Sequence, residues 1–149
     1  MKSCLTLLLL VSFFTLLTAQ SPKDTKITYR QFVSGNLLGA ASIVGISYER
    51  MVSNKLTWEV GLGVGIGAGI SYYPKEIQKA KWCFYTGFKL NSAALVGSGG
   101  GYGGYIPFGM TYFSKTGFNF GVDLGPALGN INDQTQWLPY GNIKLGIRI

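Results

Sequence analysis

The most regular pattern in the chain is an alternation of apolar with small or polar residues between Leu56 and Tyr73. Every second position from Leu56 to Tyr72 is apolar, and glycine fills five of the positions between them. A helix would lose about 1 kcal/mol at each glycine relative to alanine and would spread the apolar residues around its circumference. The pattern therefore predicts one extended strand with a single apolar face.

The length of this segment suggests what the apolar face contacts. Ten residue steps from Val60 to Ile70, at about 3.3 Å each and tilted by about 40°, cover about 25 Å along a barrel axis. The apolar band of an outer-membrane barrel has that height. The alternative is a sandwich strand that faces a protein core. In the membrane interpretation, aromatic residues on the same face form an interfacial girdle, for which we expect Tyr48, Trp58, Tyr72, Tyr112 and Phe118.

Shorter alternations on either side of turn-like segments predict the other strands. The clear strands are separated by turns at Ser53-Asn54 and at 114–117. We expect an all-β fold, an antiparallel up-and-down β-barrel of eight strands, of which six are clear. The expected strands beside 56–73 are 27–33, 44–52, 81–90, 93–97, 106–112, 118–125 and 139–149.

Eight strands would also separate the connections into two sets. Tight turns at 53–54, 91–92 and 114–117 would then lie on one side of the membrane. The longer links would lie on the other side, as the external loops of such barrels do. These links are 34–36, 74–80, 98–104 and 130–136.

The first twenty residues have the layout of a secretory signal peptide. Lys2 precedes an apolar run from Leu5 to Leu17, and small residues follow it. The run is short for a membrane-spanning helix, which is the alternative interpretation. We therefore expect an exported protein with a signal peptide at 1–20 and one barrel domain at 21–149.

Composition narrows the function classes. Charged residues make up 13% of the chain, against about 25% in an ordinary soluble domain. The net charge of +7 is spread thinly along the sequence, so we expect no basic patch and no nucleic-acid partner. The excess is then either incidental or a source of weak attraction to anionic lipid head groups. Without histidine, and with Cys83 the only cysteine after residue 20, we expect no metal, no cofactor and no disulfide. Cys83 is expected to be a small buried apolar side chain.

If the apolar positions face lipid, the opposite positions line the barrel interior. Three acids and three bases occupy them, and mutual compensation would offset the cost of burying each charge. We expect a lumen charge network that leaves no continuous pore. Paired carboxylates can also perform acid-base chemistry, but no spacing points to a catalytic residue. The expected network is Glu49, Glu59, Lys89, Asp123, Lys144 and Arg148.

In these features the chain resembles the small outer-membrane β-barrel family of Bacteroidetes-type bacteria. These are porin-like barrels of about the size of OmpA and OmpX barrels. The resemblance rests on the segment ending Leu17 to Gln20, the element Ser47-Tyr48-Glu49-Arg50, the glycine strand 61–69 and the strand 139–149. It implies an integral barrel inserted by the outer-membrane assembly machinery. Members usually end in an aromatic residue, whereas this sequence ends in Ile149.

We therefore expect a monomeric, non-enzymatic protein of the cell outer membrane with a structural or surface-interaction role in the envelope. Its partners would be the lipid bilayer and the assembly machinery. The alternative is a soluble exported lipocalin-like barrel that binds a small apolar ligand. That barrel would place Val60, Leu62 and Val64 inside and charge outside.

Overall fold

A computed structural model describes residues 27, 30–39, 44–92, 101–131 and 134–149. The expected signal peptide at 1–20 and the expected strand at 93–97 lie outside these residues. The strands are β1 (Gln31–Leu38), β2 (Val44–Ser53), β3 (Leu56–Gly63), β4 (Ile66–Tyr72), β5 (Lys81–Ser92), β6 (Tyr102–Tyr105), β7 (Phe108–Phe113), β8 (Phe118–Ile131) and β9 (Gln134–Arg148).

The strands form one closed antiparallel sheet. Each strand pairs with its neighbours in the chain, except that β6 and β7 each pair with β5 and β8; β9 pairs back onto β1, from Phe32 opposite Arg148 to Leu38 opposite Asn142. The sheet therefore closes on itself, and among the described residues the part of β9 before this pairing, 134–141, pairs only with β8. The predicted all-β, up-and-down antiparallel barrel is confirmed.

Strands β6 and β7 occupy a single position in the barrel wall. Both lie between β5 and β8, and the register of Tyr105 opposite Lys89 continues unchanged at Phe108 opposite Thr86. Only Ile106 and Pro107 interrupt the strand, and proline has no N–H to donate to a neighbour. The nine strands of the described residues therefore fill eight positions, which matches the predicted strand number.

The expected single strand at 56–73 is wrong. The segment folds back at Val64-Gly65 into the hairpin of β3 and β4, with Leu62 opposite Ile66 and Val60 opposite Ala68. Residues that oppose each other across two strands point to the same face of the sheet. This register pairs even-numbered residues with even-numbered ones, so the even-numbered residues of both β3 and β4 face outward. The apolar alternation therefore continues through the turn, and the sequence of the hairpin resembles that of one long strand.

The predicted sorting of the connections is also wrong. The turns at 54–55 and 114–117 lie at the end of the barrel where β1 begins and β9 ends, which we call the terminal rim. The longer segment 73–80 lies there too, because the Tyr73 N–H donates to the Lys55 carbonyl. The opposite end, the far rim, holds the turn at 64–65.

Two expected connections are parts of strands. Residues 34–36 lie inside β1, and 91–92 lie inside β5. The expected first strand at 27–33 is placed too early, since β1 begins at Gln31. The expected links at 98–104 and 130–136 are partly strand as well, in β6, β8 and β9.

The barrel is apolar on its outer wall and polar inside. Val60, Leu62 and Ile70 point outward with 45%, 69% and 55% of their surface exposed. On β3 and β4 the alternate positions are polar or glycine, and Thr57, Glu59 and Ser71 are buried in the lumen. The alternation in sequence thus separates an outer apolar surface from a polar interior.

Candidate functional site

A cluster of charged side chains fills the middle of the lumen. Its members come from five strands whose inward positions meet at one height. All are buried: Lys89 and Glu49 expose none of their surface, Glu59 and Lys144 expose 2%, and Asp123 exposes 8%. We call these five residues the lumen cluster.

Ion pairs connect the members of the lumen cluster. Lys144 Nζ donates to Glu49 Oε2 at 2.6 Å, and Lys89 Nζ lies 2.8 Å from Glu59 Oε1. Glu59 also lies 3.9 Å from Lys144, and Lys89 lies 3.6 Å from Asp123. Each lysine therefore has two carboxylates within ion-pair distance, which compensates its removal from water.

The third carboxylate of the cluster is held mainly by neutral donors. Asp123 accepts hydrogen bonds from the hydroxyl of Tyr85, from the hydroxyl of Tyr105 at 3.2 Å and from the side-chain amide of Asn142 at 3.4 Å. Lys89 Nζ also lies 5.8 Å from the ring centre of Tyr85 and 5.9 Å from that of Tyr105. These donors offset the excess of three carboxylates over two ammonium groups.

Sequence reasoning missed these three donors. The alternation along β5 places Tyr85 on the same face as Lys89, and this shared face could have identified it. Tyr105 was hidden because the glycine-rich segment before it was interpreted as a loop. Asn142 lies two residues before Lys144, on the inward face of β9, and could have been found in the same way.

One residue of the expected network lies elsewhere. Arg148 is exposed at the terminal rim, where its backbone N–H donates to the Gly117 carbonyl. It is the last residue of β9, and its side chain lies against Gly117, where an added Cβ would be 2.5 Å from Arg148 Cδ. The expectation that Arg148 lines the lumen is therefore wrong.

A compact group of apolar and aromatic residues closes the lumen below the cluster, at the terminal rim. The rings of Phe32 and Phe113 lie 5.5 Å apart, and those of Tyr73 and Tyr85 lie 5.4 Å apart. We call this group the plug. It consists of Phe32, Met51, Tyr73, Ile77, Cys83, Tyr85 and Phe113.

The plug joins the lumen cluster through Tyr85, whose ring packs in the plug while its hydroxyl binds Asp123. Burial and the nearby Glu49 carboxylate raise the pKa of Tyr73 well above its usual value, so this phenol stays neutral. Cys83 is 8% exposed within the plug, and its sulfur accepts a hydrogen bond from the Gln78 N–H at 3.4 Å. The thiol thus packs as a small buried side chain.

The expected girdle residues point outward, near the terminal rim. Tyr48 packs on Trp58 with ring centres 5.5 Å apart, and Tyr72 is 47% exposed. Tyr112 lies 5.6 Å from Trp82, and Phe118 is 41% exposed. The expected girdle did not include Trp82, or the exposed Tyr102 and Trp137 near the far rim.

The charged side chains outside the lumen gather at the terminal rim. Nine such residues are described, and eight of them are basic. Sequence analysis expected no basic patch, and this is wrong because turns far apart in sequence meet at one rim. We call the eight basic residues the basic collar: Arg30, Arg50, Lys55, Lys75, Lys79, Lys81, Lys115 and Arg148. The ninth residue is Glu76.

A groove of about 820 Å³ lies on the outer wall towards the far rim. Its apolar lining includes the exposed side chains of Ile66, Phe88, Leu90 and Leu128. An added Cβ at Gly104 would lie 3.0 Å from Leu90, so the absence of a side chain there helps to form the groove. The cavity is thus on the outside of the barrel, whereas ion pairs fill the interior.

Within the described residues, no group of three or more potential ligands could hold a metal ion. No helix in the same residues is long and apolar enough to cross a membrane. No protein-family model, curated protein or solved structure matches this chain.

Proposed function

We propose that this chain is an exported, integral β-barrel protein of the outer membrane, with a structural or surface-interaction role and no enzymatic activity. The observation that carries the proposal is the inverted distribution of polarity. Apolar side chains cover the outer wall, while five charged residues are buried in the lumen. An apolar outer surface of this kind is typical of a β-barrel that contacts the acyl chains of lipids.

The lipocalin-like alternative predicts the opposite arrangement. A soluble barrel that binds an apolar ligand would keep Val60 and Leu62 inside, but they are 45% and 69% exposed. The positions that such a barrel would line with apolar side chains hold Glu49, Glu59 and Lys89. A soluble protein with so large an exposed apolar surface would also aggregate. The polarity of both faces therefore favours the membrane protein.

The height of the apolar wall supports the same proposal. Outward positions of β8 are apolar from Phe118 to Leu128, and these ten steps, tilted by about 40°, cover about 25 Å along the axis. Aromatic residues lie near both ends of this band: Trp82 and Tyr112, level with Phe120, near the terminal rim, and Trp137, opposite Leu128, near the far rim. Aromatic girdles occupy the two interfaces of such barrels.

The chemistry of the lumen cluster supports a structural role. Both lysines are held by carboxylates, and Asp123 accepts from three side-chain donors. An acid-base pair needs a group that is free to exchange a proton with a substrate. In the lumen cluster the charged groups bind each other, so the cluster holds the strands together across the lumen.

A single arginine placed on the outer wall tests the membrane proposal. Leu124 lies near the middle of β8 and is 64% exposed. In a bilayer, Leu124→Arg should lower the free energy of unfolding by about 2–4 kcal/mol, whereas Phe118→Arg, near the rim, should cost about 1 kcal/mol or less. Urea titration of the barrel folded into phospholipid vesicles measures both. In a soluble barrel, Leu124→Arg would leave stability unchanged and raise solubility.

Fractionation of expressing cells tests the location. We expect the protein in the outer-membrane fraction, with an electrophoretic mobility that changes on boiling in detergent. A periplasmic, soluble protein without this change would instead favour the ligand-binding barrel.

A further inference from the structure

The basic collar forms a closed ring. Backbone hydrogen bonds connect neighbouring segments of the terminal rim all the way around. Met51 donates to Arg30, Tyr73 to Lys55, Ala80 to Phe113, Arg148 to Gly117, and Ile149 to Gln31. The basic residues lie in or next to these segments, so positive charge surrounds the whole circumference.

The far rim is different. No charged side chain occurs among its described residues. These residues are 38–39, 44–45, 63–67, 90–92, 101–103, 129–131 and 134–136. The asymmetry is therefore a property of the barrel's two ends, although the charges are scattered along the sequence. Glu76 is the one acidic residue described within the terminal rim outside the lumen.

The collar continues the outer wall in a definite order. On β2 and β3 the exposed Arg50 lies opposite Trp58, and Trp58 packs on Tyr48 nearer the middle of the wall. Along β2, from the middle of the barrel towards the terminal rim, the outward positions are apolar at Ile46, aromatic at Tyr48 and basic at Arg50, before Val52 at the end of the strand. Lipid changes in the same order, from acyl chain to interface to head group.

We propose that the basic collar binds anionic phospholipid head groups in the leaflet that surrounds the terminal rim. This inference rests on the proposed membrane location and adds a lipid preference and an orientation to it. Basic side chains beside an anionic leaflet attract its phosphates. The barrel therefore collects anionic lipid at one end and not at the other.

The circular arrangement favours lipid over a compact protein partner. A partner that docks on one side of the rim would contact only part of the circumference, for example Lys75 and Lys79 in the segment 73–80. Arg50 faces outward on β2, and Lys115 lies on the opposite side of the rim from Arg50, in the turn between β7 and β8. Head groups surround a membrane barrel on every side and can reach all of these positions.

Lipid selectivity measured by electron spin resonance tests this proposal. The full chain is folded into phosphatidylcholine vesicles that carry spin-labelled phosphatidylglycerol or spin-labelled phosphatidylcholine. At low salt we expect the labelled phosphatidylglycerol to associate about fivefold more strongly with the protein. At high salt this preference should fall towards one, because the charges are exposed and screened.

Matched variants locate the effect. The variant Arg50→Gln/Lys55→Gln/Lys75→Gln/Lys115→Gln should lose most of the preference, whereas Arg50→Lys/Lys55→Arg/Lys75→Arg/Lys115→Arg should keep it. All four positions are exposed, so both variants should fold. A folded wild-type barrel with no preference at low salt would overturn the proposal. The proposal would also be overturned if the protein showed no lipid preference but its basic collar bound a soluble anionic polymer, such as dextran sulfate.

The same experiment separates the two proposals. A chain that stays soluble and does not insert into vesicles contradicts the membrane function itself. A chain that inserts, changes mobility on boiling and shows equal association of both lipids contradicts only the lipid preference of the basic collar.

Discussion

At the scale of single residues, the two buried lysines of the lumen cluster are costly to remove from water. Lys89 exposes none of its surface and Lys144 exposes 2%. Each is stabilised by two carboxylates within 4.0 Å, from different strands. Removing one partner of such a pair is expensive because it leaves a buried charge without compensation. The lumen cluster therefore couples the strands that supply its members.

Substitution of Glu49 tests this coupling. We expect Glu49→Gln to lower the free energy of unfolding by about 3 kcal/mol, because Lys144 loses its 2.6 Å partner. Adding Lys144→Met should recover part of the loss, since it removes a buried ammonium group that would be left with only Glu59, at 3.9 Å. Urea unfolding in vesicles measures both, with the exposed Glu76→Gln as a control that should change stability by less than about 0.5 kcal/mol. Wild-type stability of Glu49→Gln would contradict the coupling.

At the scale of strands, glycine allows neighbouring strands to approach each other closely. Gly125 lies on β8 opposite the break at Ile106-Pro107, and a Cβ there would lie 1.8 Å from the Ile106 carbonyl oxygen. Gly129, on the same face of the same strand, has no atom nearer than 3.7 Å to its added Cβ. The two glycines look alike in sequence but have different roles.

Alanine at these two positions should therefore have different effects. Gly125→Ala must displace backbone, and we expect a loss of about 2 kcal/mol in unfolding free energy. Gly129→Ala only meets ordinary contacts and should be neutral or slightly stabilising. The urea midpoint of each folded variant gives the comparison. Equal midpoints would show that the wall beside Ile106 can shift freely.

The same scale explains what the sequence could and could not predict. The two-residue period identified the strands and the outward face, because each face of a barrel strand has a uniform environment. The period could not locate the turn at Val64-Gly65, where the register preserves the alternation. The period correctly predicted that Glu59 and Lys89 face the lumen, but it could not predict that they lie at the same height along the barrel axis. Height depends on register between strands, which no local pattern contains.

At the scale of the whole molecule, the lumen is filled in layers. The plug closes the terminal rim, the lumen cluster lies above it, and Tyr85 belongs to both. Ile77 covers the plug from the segment 73–80, where its N–H donates to the Asn54 carbonyl. Access to the lumen from this end therefore requires the segment 73–80 to move.

The Cys83 thiol can report on that movement. In the folded wild-type barrel we expect slow reaction with a water-soluble thiol reagent, because Cys83 is buried in the plug. Ile77→Ala removes a side chain that covers it. If local opening becomes easier by about 1.4 kcal/mol, the rate rises about tenfold. Val52→Ala, on the outer wall, should leave the rate unchanged. Equal rates in all three proteins would mean that Ile77 does not close the plug.

The pairing of β1 with β9 has a consequence for the order of folding. This seam joins Phe32 to Arg148, residues from opposite parts of the chain, whereas most other strand pairs are joined by short turns. Bringing such distant segments together costs more loop entropy, so hairpins should form first and the seam last. Until it closes, β1 and β9 each present an unpaired edge to other chains. The interval before closure is thus when the protein most needs protection from aggregation.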